Sequence, residues 1–202
     1  MKLYYIPGAC PLVPHIVLEW IGKPFEAQEV SRTEVKEPKF LAMNPTGQVP
    51  VLVDGNLTLT QNASILEYLA ELNPKAKLMG ETLQERAETR RWFGFCNSDL
   101  HRTFSIVFAA PSYIAGAEGQ AELISNTKKK VIAFFRIADK QLAGKSWLTG
   151  ARSIADPYLY TLLRWAKAKE LDLSDCANLQ AFFTRMNADS GVKTALKAQG
   201  LS

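Results

Sequence analysis

Among the side chains able to do covalent chemistry, Cys10 stands apart by its position. It falls between a short β-prone run, Leu3 to Ile6, and an amphipathic helical pattern, and Pro11 follows it. Proline favours the first position of a helix, so Cys10 is expected to be the cap. Unpaired N–H groups and the helix dipole at such a place favour a thiolate. The competing reading is a small buried cysteine at a tight turn. Cys96 fits an apolar helix stripe and reads as packing. Val13 stands where a C-x-x-C pair would need its second cysteine, which excludes a dithiol redox cycle.

Four other features carry chemical or capping potential. Val49-Pro50 heads a strand, and an X-Pro bond there is a candidate cis peptide. A bent backbone would leave the Val49 N–H and C=O able to pair with an extended peptide. An ordinary trans proline is the alternative. Gln61-Asn62 stands where a strand meets a helix, a place that binds carboxylates or is simply capped by Asn62. Ser153-Ile154-Ala155-Asp156 is a capping box, with Ser153 expected to cover the Asp156 N–H and Asp156 to reach back. Gly94, Ser98, His101, Ser105 and Phe108 follow at offsets 0, 4, 7, 11 and 14. That stripe borders a cleft, solvent or a second copy of the chain. His15 and His101 are the only histidines, too far apart in sequence for a metal site.

The elements that must hold these residues alternate in the first part of the chain. Val13, Ile16, Val17, Trp20 and Ile21 line one helix face, and Gly22 stops that helix. Phe25 to Val30 reads as a strand parallel to the first, because a helix joins them. Phe40 to Met43 is a short helical turn. Val49 to Val53 and Leu57 to Thr60 form a hairpin around Asp54-Gly55-Asn56. A helix with Ile65, Tyr68, Leu69 and Leu72 on one face follows and ends at Asn73-Pro74. Beyond residue 80 the chain is helical almost to its end. The segment holding Tyr158, Leu159, Leu162, Leu163 and Trp165 is apolar nearly all round and is expected to be central. The expected division is an α/β domain over 1–80 and an all-helical domain over 84–202.

Composition is that of a folded globular chain: 47% apolar and 22% charged residues over 202 positions. A net charge of +4 is scattered, and its only tight run, Lys128-Lys129-Lys130, reads as a solvated helix face, not a nucleic-acid patch. Three cysteines without paired spacing argue against a disulfide framework. No apolar run of roughly 18 residues is present and the opening lacks a signal-peptide core, so a cytoplasmic protein without a membrane partner is expected.

Five segments in register resemble the bacterial beta class of the glutathione S-transferase family. They are Met1-Lys2-Leu3-Tyr4-Tyr5-Ile6-Pro7-Gly8-Ala9-Cys10, Asn44-Pro45-Thr46-Gly47-Gln48-Val49-Pro50-Val51-Leu52, Leu59-Thr60-Gln61-Asn62-Ala63-Ser64-Ile65-Leu66-Glu67-Tyr68-Leu69, Asp99-Leu100-His101-Arg102 and Ser153-Ile154-Ala155-Asp156-Pro157-Tyr158-Leu159. The resemblance spans essentially the whole chain. It implies a thioredoxin-like first domain, an all-α second domain, a homodimer and glutathione as co-substrate, with no metal. It implies that Cys10 meets the glutathione sulfur and that Val49, on a turn made by cis Pro50, pairs with the cysteinyl backbone. Gln61 and Asn62 match the pair that holds the γ-glutamyl end, and Asp99 matches a residue reaching that end across the dimer. His101, Ser105, Phe108, Tyr158 and Trp165 match the pocket for a small apolar electrophile.

That resemblance implies a detoxifying transferase, with thiol–disulfide exchange through Cys10 as a second route. A non-catalytic binder or regulator on the same fold is the alternative. Gln61 stands where the family carries an acidic residue, so binding weaker by about 1 kcal/mol is expected. Pro11 removes one N–H beside Cys10. The segment Ser31 to Lys39 is short, and either Arg32 or Lys36 is the expected partner of the glycyl carboxylate.

Overall fold

The computed structural model describes residues 1–201. Strand β1 (Lys2–Tyr5) leads through Cys10 into helix α1 (Leu12–Ile21), which returns to β2 (Glu26–Glu29). A short helix α2 (Pro38–Leu41), strands β3 (Val51–Asp54) and β4 (Leu57–Thr60) and helix α3 (Asn62–Leu72) follow. The four strands lie in the order β2-β1-β3-β4. β1 and β2 are parallel, with Lys2 opposite Glu26, as the helical crossover requires. β3 is antiparallel to β1 and to β4. β3 starts at Val51, two residues later than the alternation suggests, because Pro50 has no N–H to give a ladder.

Helices α4 (Leu83–Gly94) and α5 (Arg102–Ala109) are joined by a π-helical segment, Phe95–His101. Then come α6 (Ala117–Leu142), α7 (Ala155–Ala168), α8 (Ala177–Ala188) and α9 (Ser190–Ala198). The expected central helix is α7, with Tyr158, Leu159, Tyr160 and Leu162 fully buried. Apolar side chains of α1, α3 and β1 join those of α4 to α9 in one continuous core. The sheet and the helical array are thus fused along α1. No helix is long and apolar enough to cross a membrane among the described residues.

Two glycines are needed where they stand. Gly22 closes α1 at φ 72°, donating its N–H to the Leu18 carbonyl at 3.0 Å. Gly47 has φ 59°, and a Cβ there would meet the Val35 carbonyl oxygen at 2.8 Å. That close approach packs the Ser31–Lys39 segment under the turn leading to Val49. Lys36 Nζ donates to the Gly47 carbonyl oxygen at 3.0 Å.

Candidate active site

A cavity of about 470 Å³ opens where the loop after β1, the turn before β3 and the start of α3 face the π-helical segment, α5 and α7. Cys10, Val49, Pro50, Gln61, Asn62, His101, Ser105 and Tyr158 all border it. Each of these eight stands among the residues singled out from sequence. The Val49-Pro50 bond is cis. The Val49 N–H has no hydrogen-bond partner among the described residues, while its carbonyl accepts from the Cys10 thiol at 3.7 Å.

Cys10 differs from expectation in its local setting. The helix begins at Leu12, with Pro11 in the cap position and already helical. The Leu12 N–H bonds the Ala9 carbonyl and the Val13 N–H bonds the Cys10 carbonyl, at 3.0 and 3.1 Å. The amides expected to favour a thiolate are therefore spent on a tight turn. Cys10 is partly open to the cavity but surrounded by protein elsewhere, and burial pushes its thiol up to about 12. The geometry describes a protonated thiol donating to a carbonyl.

The start of α3 also departs from simple capping. Gln61 precedes the helix at φ 70° and ψ 126°, a left-handed conformation that costs a non-glycine residue about 1–3 kcal/mol. Neither Gln61 nor Asn62 caps the helix with its side chain. Asn62 is the first helical residue and is buried. Its Nδ2 donates to the Cys10 carbonyl at 3.3 Å and to the Tyr158 hydroxyl at 3.4 Å. Its Oδ1 has no partner among the described residues. By helix geometry the first N–H groups of α3 also lack partners within the helix.

Tyr158 ties the opposite wall together. Its hydroxyl donates to Asn97 Oδ1 at 2.8 Å and contacts His101 Nδ1 at 2.7 Å. A phenol has one proton to give, so His101 must carry its own proton on Nδ1 and donate it to Tyr158. This leaves Nε2 as an acceptor. Burial holds His101 down to about 4, so the ring is neutral at pH 7. Burial also lifts Tyr158 well above a normal phenol, with Cys10 adding to the effect.

Asn44, Gln48, Asn97 and Arg102 line the cavity without having been singled out as site residues. Among the described residues Arg102 is the only charged one lining the cavity. An α-helical stripe drawn through Gly94, Ser98 and His101 skips Asn97. The π-helical segment changes the residues per turn and brings Asn97, Ser98 and His101 to the same cavity. Arg102 lies inside a motif that was singled out, and its charge was the available signal.

Phe108 and Trp165 do not border this cavity. They continue its wall outward: the His101 and Trp165 rings are 5.0 Å apart, and Trp165 meets Phe108 edge-on at 5.4 Å. Phe108 is 48% exposed. Trp165 Nε1 donates to the Gly8 carbonyl at 2.8 Å, so Trp165 also pins the loop before Cys10. Asp99 is exposed and does not line the cavity of its own chain. Neither Arg32 nor Lys36 reaches the cavity. No cluster of three or more His, Cys, Asp or Glu side chains suited to a metal ion occurs among the described residues.

The capping box at α7 forms with one change of partner. Asp156 reaches back to the Ser153 N–H at 2.7 Å and also accepts from the Leu148 N–H at 2.9 Å. The Ser153 hydroxyl oxygen accepts from Ala155, not Asp156, at 3.3 Å. The Asp156 N–H turns to the Ser153 carbonyl instead.

A mixed four-stranded sheet with flanking helices, a cis proline facing a cysteine and an attached helical array define a thioredoxin-like domain joined to an all-α domain. The sequence profiles for the N-terminal and C-terminal domains of glutathione S-transferases match residues 1–71 and 101–189. Glutathione S-transferase GST-4.5 of Xanthomonas campestris pv. campestris is 43% identical, with all of both chains covered. Glutathione S-transferase GstA of Escherichia coli O157:H7 is 34% identical, again over both full chains. A glutathione S-transferase from Xylella fastidiosa superposes with a TM-score of 0.96 at 43% identity, covering 100% of this chain and 99% of that one. A sphingomonad glutathione S-transferase complexed with glutathione gives 0.88 at 35% identity, with both chains fully covered. The chain belongs to the glutathione S-transferase family, bacterial beta class.

Proposed function

We propose that this glutathione transferase holds reduced glutathione in the cavity beside Cys10 and conjugates it to small apolar electrophiles. The carrying observation is the convergence of Cys10, Val49, Gln61, Asn62, His101 and Tyr158 on one cavity. The free Val49 N–H suits the cysteinyl backbone of a tripeptide. The unpartnered Asn62 Oδ1, the Gln61 side chain and the α3 N-terminus suit the ammonium and carboxylate of the γ-glutamyl end. Arg102 supplies a positive charge for an anionic tripeptide. The nucleophile is the glutathione thiolate, which Arg102 and the cavity's hydrogen-bond donors favour electrostatically. His101 Nε2, neutral because burial holds the ring down to about 4, offers a hydrogen-bond acceptor to the glutathione thiol, and the proton leaves to solvent as the thiolate forms. The aromatic wall of His101, Trp165 and Phe108 receives the electrophile.

Conjugation is favoured over exchange through Cys10, because burial keeps that thiol protonated. In the exchange route the Cys10 thiolate would attack a glutathione disulfide, forming a mixed disulfide and releasing one glutathione thiolate. A second thiolate would then release Cys10. Cys10→Ser separates the two routes. Conjugation of a chlorinated nitroaromatic is expected to persist and disulfide reduction to vanish. Loss of conjugation would assign Cys10 to the transferase step itself.

The functional unit of this reading is a homodimer in which Asp99 of each chain serves the partner's glutathione, in the cytoplasm, as a detoxification enzyme. Its working division is a glutathione-binding domain over 1–80 and an electrophile-binding domain over 84–202. Analytical ultracentrifugation with Asp99→Ala tests the shared site: a dimer with weakened glutathione binding is expected, and unchanged binding would remove Asp99 from it. The binder alternative draws on Gln61, the neutral residue at the clamp. Failure of retention on immobilised glutathione would favour it.

A further inference from the structure

The loop that carries Cys10 is held from the far end of the chain. Gln199 follows α9 and is buried. Its Oε1 accepts from the Gly8 N–H at 3.1 Å. A backbone N–H can only donate, so this bond fixes the orientation of the amide and turns Nε2 toward His15 Nδ1, 3.0 Å away. The amide nitrogen can only donate in its turn. His15 therefore accepts on Nδ1 and carries its proton on Nε2, which faces Glu19 Oε1 at 3.8 Å. Burial holds His15 down to about 4, so the ring is neutral at pH 7 and this pattern stands. One side chain thus ties α1 to the loop that precedes it.

Gly8 is held at both of its polar atoms. Gln199 takes the N–H, and Trp165 Nε1 donates to the carbonyl oxygen at 2.8 Å. Both partners belong to the helical domain. The Ala9 N–H returns to the Ile6 carbonyl at 3.1 Å, and Gly8 has φ 71°. Proline then glycine at positive φ inside such a bond is the pattern of a type II turn. A released glycine has more backbone freedom than any other residue. Cys10 lies two residues on and reaches the Val49 carbonyl at 3.7 Å. Its place at the cavity therefore depends on how Gly8 is held. Tyr5 fastens the same end of the chain without bonding to Gly8: its hydroxyl donates to the Ala198 carbonyl at 3.2 Å.

We infer that Gln199 is a positioning residue for the Cys10 loop: through the Gly8 N–H it fixes the turn that sets Cys10 against Val49 and shapes the glutathione side of the cavity. Its service to glutathione rests on the function proposed above, whereas its hold on Cys10 does not.

Gln199→Met keeps the side-chain length and removes both bonds. Alkylation by iodoacetamide is followed on the Cys10 peptide by mass spectrometry, so that Cys96 and Cys176 do not contribute. It is expected to speed up about fivefold in Gln199→Met, because the loop opens more often. The KM for glutathione is expected to rise about tenfold, with kcat and the KM for the electrophile changed less than about twofold. Gln199→Glu keeps an acceptor for the Gly8 N–H, and His15 can move its proton to Nδ1 to meet the second oxygen. This variant is expected to stay within about twofold of the wild type in both readouts. Tyr5→Phe loosens α9 elsewhere. It should lower the urea midpoint and leave both readouts within about twofold. Circular dichroism establishes folding, and Gln199→Asn, too short to span Gly8 and His15, serves with about threefold effects if Gln199→Met does not fold. Unchanged alkylation of Cys10 in Gln199→Met would overturn the inference. Equal effects of Gln199→Met and Tyr5→Phe would also overturn it, making Gln199 an ordinary packing residue, as would a Gln199→Glu protein no better than Gln199→Met. No turnover of glutathione by the wild type would sink the proposed function instead, and the alkylation rates would then decide the hold on Cys10 alone.

Discussion

The N-termini of α3 and α7 face similar demands and meet them in opposite ways. At α7, Asp156 accepts from the Leu148 N–H, the Ser153 N–H and the Ser153 hydroxyl, all inside the core. At α3, Gln61 is strained, no side chain caps the helix, and Asn62 Oδ1 has no partner. A buried terminus with every group paired is a structural joint. A terminus left strained and unpaired beside a cavity is, on the proposed reading, a place kept open for glutathione.

Asp156→Ala is expected to give the largest effect. It strips three donors of their acceptor and should cost about 3 kcal/mol of stability, read by urea denaturation. Glutathione affinity of the folded fraction should stay within twofold. A large loss of affinity in that fraction would break the division of labour between the two termini.

The second effect concerns the Tyr158 hub that connects both termini. His101 takes up a proton near 6.5 when unfolded but only at about 4 when folded. The unfolded chain therefore binds more protons between these values, and stability falls as pH drops through that window. The expected loss at His101 between pH 7 and 4.5 is about 2 kcal/mol. Asp156, raised to about 6 by burial, acts in the opposite sense, its contribution being lost as pH rises through 6. Comparing the wild type with His101→Gln isolates the histidine. An unchanged pH slope in that variant would contradict the assigned neutral ring.

The smallest effect sharpens the contrast at α3. Gln61→Gly removes the strain of a positive φ and should raise stability by about 0.5–1 kcal/mol while weakening glutathione binding. The same replacement at a position of ordinary φ would destabilise. A loss of stability in Gln61→Gly would show that the α3 terminus is held by contacts, not kept under strain.

Much of this arrangement is legible in sequence because it rests on local rules. Pro50, Gly22 and Ser153 with Asp156 mark a cis bond, a helix stop and a helix start, each set by the chemistry of a few adjacent residues. Nine of the cavity residues, Ser98 among them, follow from such marks or from the family resemblance they support. The start of α1 lies one residue later than expected, because a proline in the first turn of a helix and one just before it look alike in sequence. Asn97 escaped because a π-helical segment shifts the helix phase, and a fixed 3.6-residue period cannot register that shift. The thiol state of Cys10 stayed open between two readings. It depends on how many side chains close around the sulfur, which is a property of the assembled walls and not of the turn.

The most direct test is calorimetric titration with reduced glutathione, run side by side on the wild type and Gln61→Glu. The account predicts saturable binding in both, about fivefold tighter in Gln61→Glu, which corresponds to about 1 kcal/mol from a charge-assisted bond to the ammonium. Absence of binding by both proteins at several millimolar glutathione would contradict the assignment of the Cys10 cavity as a glutathione site.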